Sequence, residues 1–140
     1  MNTSSNKALV NRFNGAFDRG DWETMRACLS PNLAATATGA PGPMDRDAFE
    51  GMGKMFLAAF SQSRHVVETQ VAEGDVVATL GNWSAVHTGD FNGIPATNRP
   101  VKIAITVFDE CRDGKIVKHH GSLDIMALMA QLGGQQSAAA

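Results

Sequence analysis

GKIVKHHGSLDIMALMAQLG, residues 114–133, is the stretch that decides the fold of this chain. Its first half follows an Asp-Gly turn signal and predicts a strand. Its second half predicts a short helix, because apolar residues recur at helical spacing before a Gly-Gly stop. Asp124 lies at the junction between these two patterns.

Asp124 can have either of two roles at this junction. It can cap the helix, because its carboxylate can accept hydrogen bonds from the first free N–H groups. Alternatively, it can point into a cavity lined by the last strand, as an ionisable group in apolar surroundings. The usual preference of Asp for such positions favours the cap, but spacing alone leaves both roles open.

Composition narrows the class of protein. A length of 140 residues and an apolar content of 44% predict a single globular domain, residues 1–140. The formal net charge is −2 and no basic cluster is present, which argues against nucleic acid as a partner. No apolar run is long enough to span a membrane and no signal peptide is evident, so we expect a cytoplasmic location. Cys28 and Cys111 lack metal-ligand spacing and predict reduced core thiols, and no metal site is expected.

The order of the predicted elements is helices first, then strands, then one short helix. Asp21 and Asp45 are candidate caps of the second and third helices, and Gly81 within a long strand predicts a bend or bulge. A short strand is expected at residues 33–38. The helices are predicted at about residues 5–18, 22–29 and 45–60, and the longer strands at 65–73, 76–88, 100–111 and 116–123.

This order predicts an α+β fold in which three N-terminal helices pack on one face of a curved, antiparallel-rich sheet. We expect a cone with an open mouth, and cones of this kind hold small apolar ligands between the helices and the sheet. The ordered core is predicted at about residues 5–133, with residues 134–140 as a frayed tail.

Three segments resemble the SnoaL-like polyketide cyclases of the NTF2-like superfamily. They are NKALVNRFNGAFDRGDWETMRACLSPNL, VAEGDVVATLGNWSAVHTGDFNGIPATNRPV and DGKIVKHHGSLDIMALMAQLG, which together reach from about residue 6 to residue 133. The most specific pieces are HTGDFNGIPATNRPV and the closing DGKIV…D…QLG pattern. The resemblance implies the NTF2-like cone.

The resemblance also implies an activity. In these cyclases an aspartate near the start of the last helix is the general acid/base, and Asp124 occupies that position. It would take a proton from a carbon acid on an anthracycline-type methyl ester, and an intramolecular aldol addition would close a ring. No metal or organic cofactor takes part. An apolar wall would raise the pKa of the carboxyl group and make it a better base near neutrality.

The chain departs from the cyclase pattern at pocket positions where that family places polar partners. Ala35, Ile105 and Val107 occupy these positions here and are all apolar. This departure favours an alternative function, a non-catalytic module that binds a small hydrophobic or aromatic ligand. An isomerase or dehydratase that uses the same aspartate is a further alternative. A third is a dimerisation domain, and a homodimer is expected in any case.

Histidines and aromatic residues supply the remaining candidates for the ligand site. His119 and His120 face opposite sides of a regular strand, and His120 shares the parity of Asp124, so we choose His120 as the second pocket residue. A bulge in the strand would reverse this choice. His87 is expected at the rim of the cone, near a ligand or capping a turn. Trp83 and Phe17 are the aromatic residues expected to line the pocket.

Overall fold

The computed structural model describes residues 2–133, so the tail predicted at 134–140 lies outside the described residues. Within them the chain forms four helices and five strands in the predicted order. The elements are α1 (Thr3–Arg19), α2 (Trp22–Cys28), β1 (Leu29–Ala37), α3 (Arg46–Ala59), β2 (Phe60–Glu73), β3 (Val76–His87), β4 (Pro100–Arg112), β5 (Lys115–Leu123) and α4 (Ile125–Gln131).

Aspartates fix the starts of the second and third helices, as predicted. The Asp21 carboxylate accepts from the Thr24 N–H at 3.2 Å, and the Asp45 carboxylate accepts from the Ala48 N–H at 2.8 Å. These bonds satisfy N–H groups that have no partner within the helix. Both helices therefore begin where the sequence places them.

The five strands form one mixed sheet in the order β1-β5-β4-β3-β2. Strands β2 to β5 pair antiparallel as a meander, whereas β1 pairs parallel to β5. The first strand begins directly after α2, at Leu29, and is longer than the predicted 33–38. Its parallel pairing brings the segment after α2 beside β5, the last strand.

Gly81 is the residue that lets β2 and β3 bend together. A Cβ atom at this position would lie 2.0 Å from the backbone oxygen of Val66. The β2–β3 register shifts between Val67 and Thr69, directly opposite. The predicted bulge is therefore confirmed, and it curves the sheet around the helices.

Two buried clusters fill the space between the helices and the concave face of the sheet. One contains Leu9 and Phe13 of α1, and the other is built around Phe60 and Trp83. Cys28 and Cys111 are free thiols within the buried core, and burial raises the pKa of the Cys111 thiol to about 11. Among the described helices, none has the length and apolarity needed to cross a membrane. The cytoplasmic location stays a prediction.

A pair of glycine substitutions tests this account of the bend. Gly81→Ala should destabilise the protein by at least about 2 kcal/mol, because the new methyl group overlaps backbone that cannot move independently. Gly51→Ala, in α3, meets no atom within 4 Å and should gain up to about 1 kcal/mol from helix propensity. Urea unfolding curves measure both changes, and equal stabilities for the two variants would contradict the assignment.

Candidate active site

An interior cavity of about 80 Å³ lies between α1, α3 and the concave face of the sheet. Its walls are mainly aromatic and aliphatic, as is usual for small-molecule sites. Two titratable side chains, His65 and His119, also line it. Each histidine contacts a carboxylate behind the cavity wall, so both belong to Asp–His pairs.

The first pair joins His119 of β5 to Asp109 of β4. The two residues are cross-strand partners, and His119 Nδ1 lies 2.6 Å from Asp109 Oδ1. The Asp109 side chain is 1% exposed and the His119 side chain 10%. Because a carboxylate only accepts, Nδ1–H is the donor, and the lone pair of a neutral ring is on Nε2. Asp109 therefore sets both the orientation and the tautomer of His119.

A bulge in β5 turns His119 toward the cavity. Cys111 pairs with Ile116 and Glu110 pairs with Lys118, so Val117 is an extra residue with no partner on β4. Beyond the bulge, the inward parity of the strand passes to His119, and His120 faces outward. This bulge precedes both histidines, so His120 keeps the parity that it shares with Asp124, and both residues are exposed rather than directed into the cavity.

Gly121 leaves open space beside the free nitrogen of His119. A Cβ atom at position 121 would lie 3.3 Å from His119 Nε2. Within residues 2–133 this nitrogen has no hydrogen-bond partner. The rings of Phe13 and Phe49 pack against the imidazole, with centroids 5.7 and 4.9 Å away. The imidazole is thus held in place while Nε2 remains available to a bound molecule.

The second pair joins His65 of β2 to Asp18 of α1. His65 Nδ1 lies 2.7 Å from Asp18 Oδ1, and the backbone N–H of His65 donates to Oδ2 at 2.8 Å. The Ser63 hydroxyl donates to Oδ1 at 2.7 Å and accepts from the Trp83 indole N–H at 2.9 Å. Burial opposes ionisation of Asp18, but these donors and the charge of His65 outweigh it and lower its pKa.

A wider vestibule of about 380 Å³ opens next to the cavity. Methionines supply much of its wall, namely Met44, Met52 and Met55. Met52 and Phe56 line both spaces, so they separate the vestibule from the interior cavity, which we call the histidine chamber. The two spaces together reach the size range of ordinary ligand pockets, roughly 300–1,000 Å³.

Four of the predicted ligand-binding residues lie around the interior cavity. They are Phe17, Trp83, Ile105 and Val107. Ala35 is fully buried and pairs with His119 across the parallel strands, but it does not line the cavity. That any of these residues contacts a ligand stays a prediction.

Two predicted histidines lie elsewhere. His120 faces outward and bonds to the Thr36 hydroxyl, because the side of the chain that it shares with Asp124 is exposed. His87 is fully buried rather than at a rim, since its ring packs against Phe60 and its Nδ1 contacts Thr97. These placements correct the expected pocket position of His120 and the expected rim position of His87.

Asp124 is the N-cap of α4. Its carboxylate accepts from the Ala127 N–H at 3.0 Å, and the residue is exposed and does not line the interior cavity. The capping alternative is therefore the one that the geometry matches. The catalytic role of Asp124 stays a prediction, without the apolar surroundings on which that prediction depended.

Sequence reasoning missed Asp109 and Asp18, although one of them carried a signal. Asp109 follows Val101, Ile103 and Ile105 at even spacing on β4, so a charge falls in line with buried apolar residues. Such a position calls for a partner, because an unpaired buried charge is costly. Asp18 carried no such signal, because its partners come from β2. Within residues 2–133, no three His, Cys, Asp or Glu side chains are grouped as metal ligands would be.

Comparisons with known proteins agree with this architecture. The family model described as SnoaL-like polyketide cyclase matches residues 7–132. Among solved structures, the chain is similar to IdmH of Streptomyces antibioticus, a candidate polyketide cyclase, at 29% identity and a TM-score of 0.83, covering 91% of this chain and 98% of that one. A candidate polyketide cyclase of Xanthomonas campestris pv. campestris shares 26% identity, with a TM-score of 0.82 and coverage of 94% and 99%.

A third structure supports the fold alone. AclR of Streptomyces galilaeus, a candidate hydroxylase, shares 24% identity, with a TM-score of 0.86 and coverage of 95% of this chain and 83% of that one. Among curated proteins, none matches the chain. The predicted NTF2-like α+β fold is confirmed by the family model and these structures together.

Asp18→Asn tests the electrostatics of the second pair. A carboxylate with a lowered pKa stabilises the folded state above its unfolded pKa, ordinarily 3.8, and this contribution is lost as pH falls through the folded-state pKa. The variant should melt roughly 3–10 °C below wild type near neutral pH, and the gap should shrink below about pH 4. Thermal melts across this range measure it.

Asp47→Asn is the matched control for this series. Arg26 lowers the pKa of Asp47 too, but Asp47 lies at the surface, where solvent weakens the pair. We expect little change in Tm at any pH. A gap between wild type and Asp18→Asn that stays constant into the acid range would contradict the ionised role of Asp18.

Proposed function

The chain belongs to the SnoaL-like polyketide cyclase family, and we propose that it removes a proton next to the carbonyl group of a small hydrophobic compound, with His119 as the base. The observation that carries the proposal is the Asp109–His119 pair: His119 lines an aromatic cavity, and within residues 2–133 its Nε2 has no hydrogen-bond partner. An oriented imidazole in an apolar site is a common design for general base catalysis.

The chemistry follows from the geometry of the pair. His119 Nε2 accepts the proton from carbon, and the Asp109 carboxylate stabilises the imidazolium that forms. Among residues 2–133, Asp109 Oδ2 is buried without a hydrogen-bond partner, so His119 is the main group that compensates its charge. The imidazolium can then return the proton to the product. The proposal invokes no metal or organic cofactor.

Cavity size restricts how a substrate can bind. The histidine chamber of about 80 Å³ admits only the reacting part of a polycyclic molecule, whereas the vestibule of about 380 Å³ can take the apolar body. Met52 and Phe56 would contact the substrate between these parts. The methionines of the vestibule adapt easily to different shapes, because their side chains are flexible and polarisable.

Ring closure of a polyketide methyl ester is the leading version of the reaction. IdmH and the Xanthomonas protein are both candidate polyketide cyclases, and their identities to this chain support the assignment. Isomerisation or dehydration would begin with the same proton abstraction. The alternative function is a binding module without turnover, which the apolar side chains at Ala35, Ile105 and Val107 favour.

His119→Gln is the primary test of the proposed base. Turnover of an aromatic methyl ketoester should fall by at least about a hundredfold, the lower range for loss of a general base. His120→Gln is the matched control, because this neighbouring histidine faces the opposite side of the sheet, and it should keep wild-type kcat. Steady-state kinetics, with Tm as a check on folding, measure both.

Asp124→Asn distinguishes the two candidate acid/base residues. Asn caps helices about as well as Asp, so this variant should retain both Tm and kcat if Asp124 is a cap. A large loss of kcat in Asp124→Asn with no loss in His119→Gln would return the catalytic role to Asp124. Ligand binding without turnover in the wild-type protein would favour the binding module.

We also propose that the chain forms a homodimer through the convex face of the sheet. One row of cross-strand neighbours runs across all five strands as Val71, Ala78, Phe108, His120 and Thr36. Phe108, at the centre of this row, is 52% exposed, and Val76 and Leu80 on the same face are exposed as well. Exposed apolar surface of this kind favours a partner.

Phe108→Glu tests the dimer. A charge at the centre of an apolar interface should shift the protein to monomers at micromolar concentration, because a charged side chain is costly to bury. Met126→Glu is the control, since Met126 is an exposed apolar residue of α4 outside the convex face. Light scattering coupled to gel filtration measures the mass, and a monomeric wild-type protein would contradict the proposal.

A further inference from the structure

We infer that His65 is a second functional group of the histidine chamber and donates a hydrogen bond to the oxygen of the carbonyl group whose neighbouring carbon loses a proton to His119. This inference rests on the proposed function and narrows its substrate class. The substrate is an enolisable carbonyl compound with an apolar body, and its oxygen and its acidic carbon contact different histidines.

Helix α1 contacts both imidazoles through two of its phenylalanine rings. Phe13 contacts His119 with ring centroids 5.7 Å apart, and Phe17 contacts His65 with centroids 5.5 Å apart. Phe13 and Phe17 are i and i+4 on one helix face, where neighbouring Cβ atoms lie about 5–6 Å apart. Both imidazoles line the same cavity, and each packs against a ring from this face of α1.

The surroundings of Asp18 keep an ionised carboxylate beside His65. Asp18 accepts hydrogen bonds from the Ser63 hydroxyl, the His65 backbone N–H and His65 Nδ1, and its pKa is lowered as a result. A carboxylate that stays ionised stabilises positive charge on the ring beside it. In the imidazolium both nitrogens donate, and within residues 2–133 His65 Nε2 has no partner. It can therefore donate to a ligand.

The indole of Trp83 holds this second pair in place. Its N–H donates to Ser63 Oγ at 2.9 Å, which leaves the Ser63 hydroxyl hydrogen for Asp18. Trp83 itself lines the cavity, and its ring packs edge-on against Phe56 and Phe60. The hydrogen-bonded chain from Trp83 to His65 thus connects the cavity wall with the proposed donor.

The proton and electrons balance without another reactant. His119 Nε2 takes the proton, the C–H electron pair becomes the new C=C bond, and the C=O π pair moves onto oxygen. The oxyanion accepts a hydrogen bond from His65 Nε2–H, with no transfer required. Without His65, this negative charge would develop among phenylalanine rings, where it would be poorly stabilised.

The binding of 4-nitrophenol tests this donor without any turnover. Its phenolate resembles the oxyanion of an enolate, and the colour change on ionisation reports which form is bound. The wild-type protein should bind phenolate in preference to phenol, and His65→Gln should lower that preference at least tenfold. His120→Gln, outside the cavity, should behave as wild type. An unchanged preference in His65→Gln would overturn the inference.

A second variant and an NMR measurement keep the test informative if His65→Gln does not fold. Asp18→Asn removes the negative charge beside His65 but leaves the ring, so the bound phenolate should be lost at a lower pH than in wild type. In ¹⁵N-histidine-labelled wild-type protein, the His65 Nε2 resonance should move when 4-nitrophenol is added. A resonance that does not respond would overturn the inference, because a purely structural pair would behave in that way.

The outcomes separate this inference from the proposed function. If wild-type protein turns over no ketoester but binds phenolate through His65, the proposed reaction fails and the His65 site stands. If turnover depends on His119 but the preference for phenolate is the same in His65→Gln as in wild type, the reaction stands and the inference fails.

Discussion

One extra residue in β5 determines the chemistry of the interior. Val117 has no partner on β4, and beyond it the strand presents His119 rather than His120 to the helices. Asp109, fully buried on β4, then has a hydrogen-bond donor at 2.6 Å. Without the bulge, the register set by Cys111 and Ile116 would place Lys118 rather than His119 opposite Asp109. The bulge therefore determines that the buried aspartate pairs with a histidine.

Apolar side chains surround the histidines of both Asp–His pairs at the cavity. Phenylalanine rings from α1 and α3 surround the imidazole of His119, and another ring of α1 packs on His65. In such surroundings each charge interacts strongly with the few polar groups nearby, because little water screens it. The same rings that build the hydrophobic core thus increase the influence of each aspartate on its histidine.

The sequence predicted the helices and most strands because each carries its own periodicity. The long strand expected at 76–88 is Val76–His87, and the caps at Asp21 and Asp45 lie where propensity places them. The parallel pairing of β1 was not predictable from local pattern, because it depends on how a distant strand is positioned. The side chains of the proposed site were even harder to predict. His120 was selected over His119 because it shares the parity of Asp124, and neither His120 nor Asp124 lines the cavity.

The absence of a side chain at Gly121 affects how this site can change by substitution. The fold does not require glycine there for its backbone angles, since Gly121 is absent from the positions with positive φ. What the missing side chain provides is room beside His119 Nε2, where even a methyl group would approach to 3.3 Å. Most amino-acid replacements reshape an enzyme indirectly, through packing. A side chain at position 121 would instead change the space beside the proposed base directly.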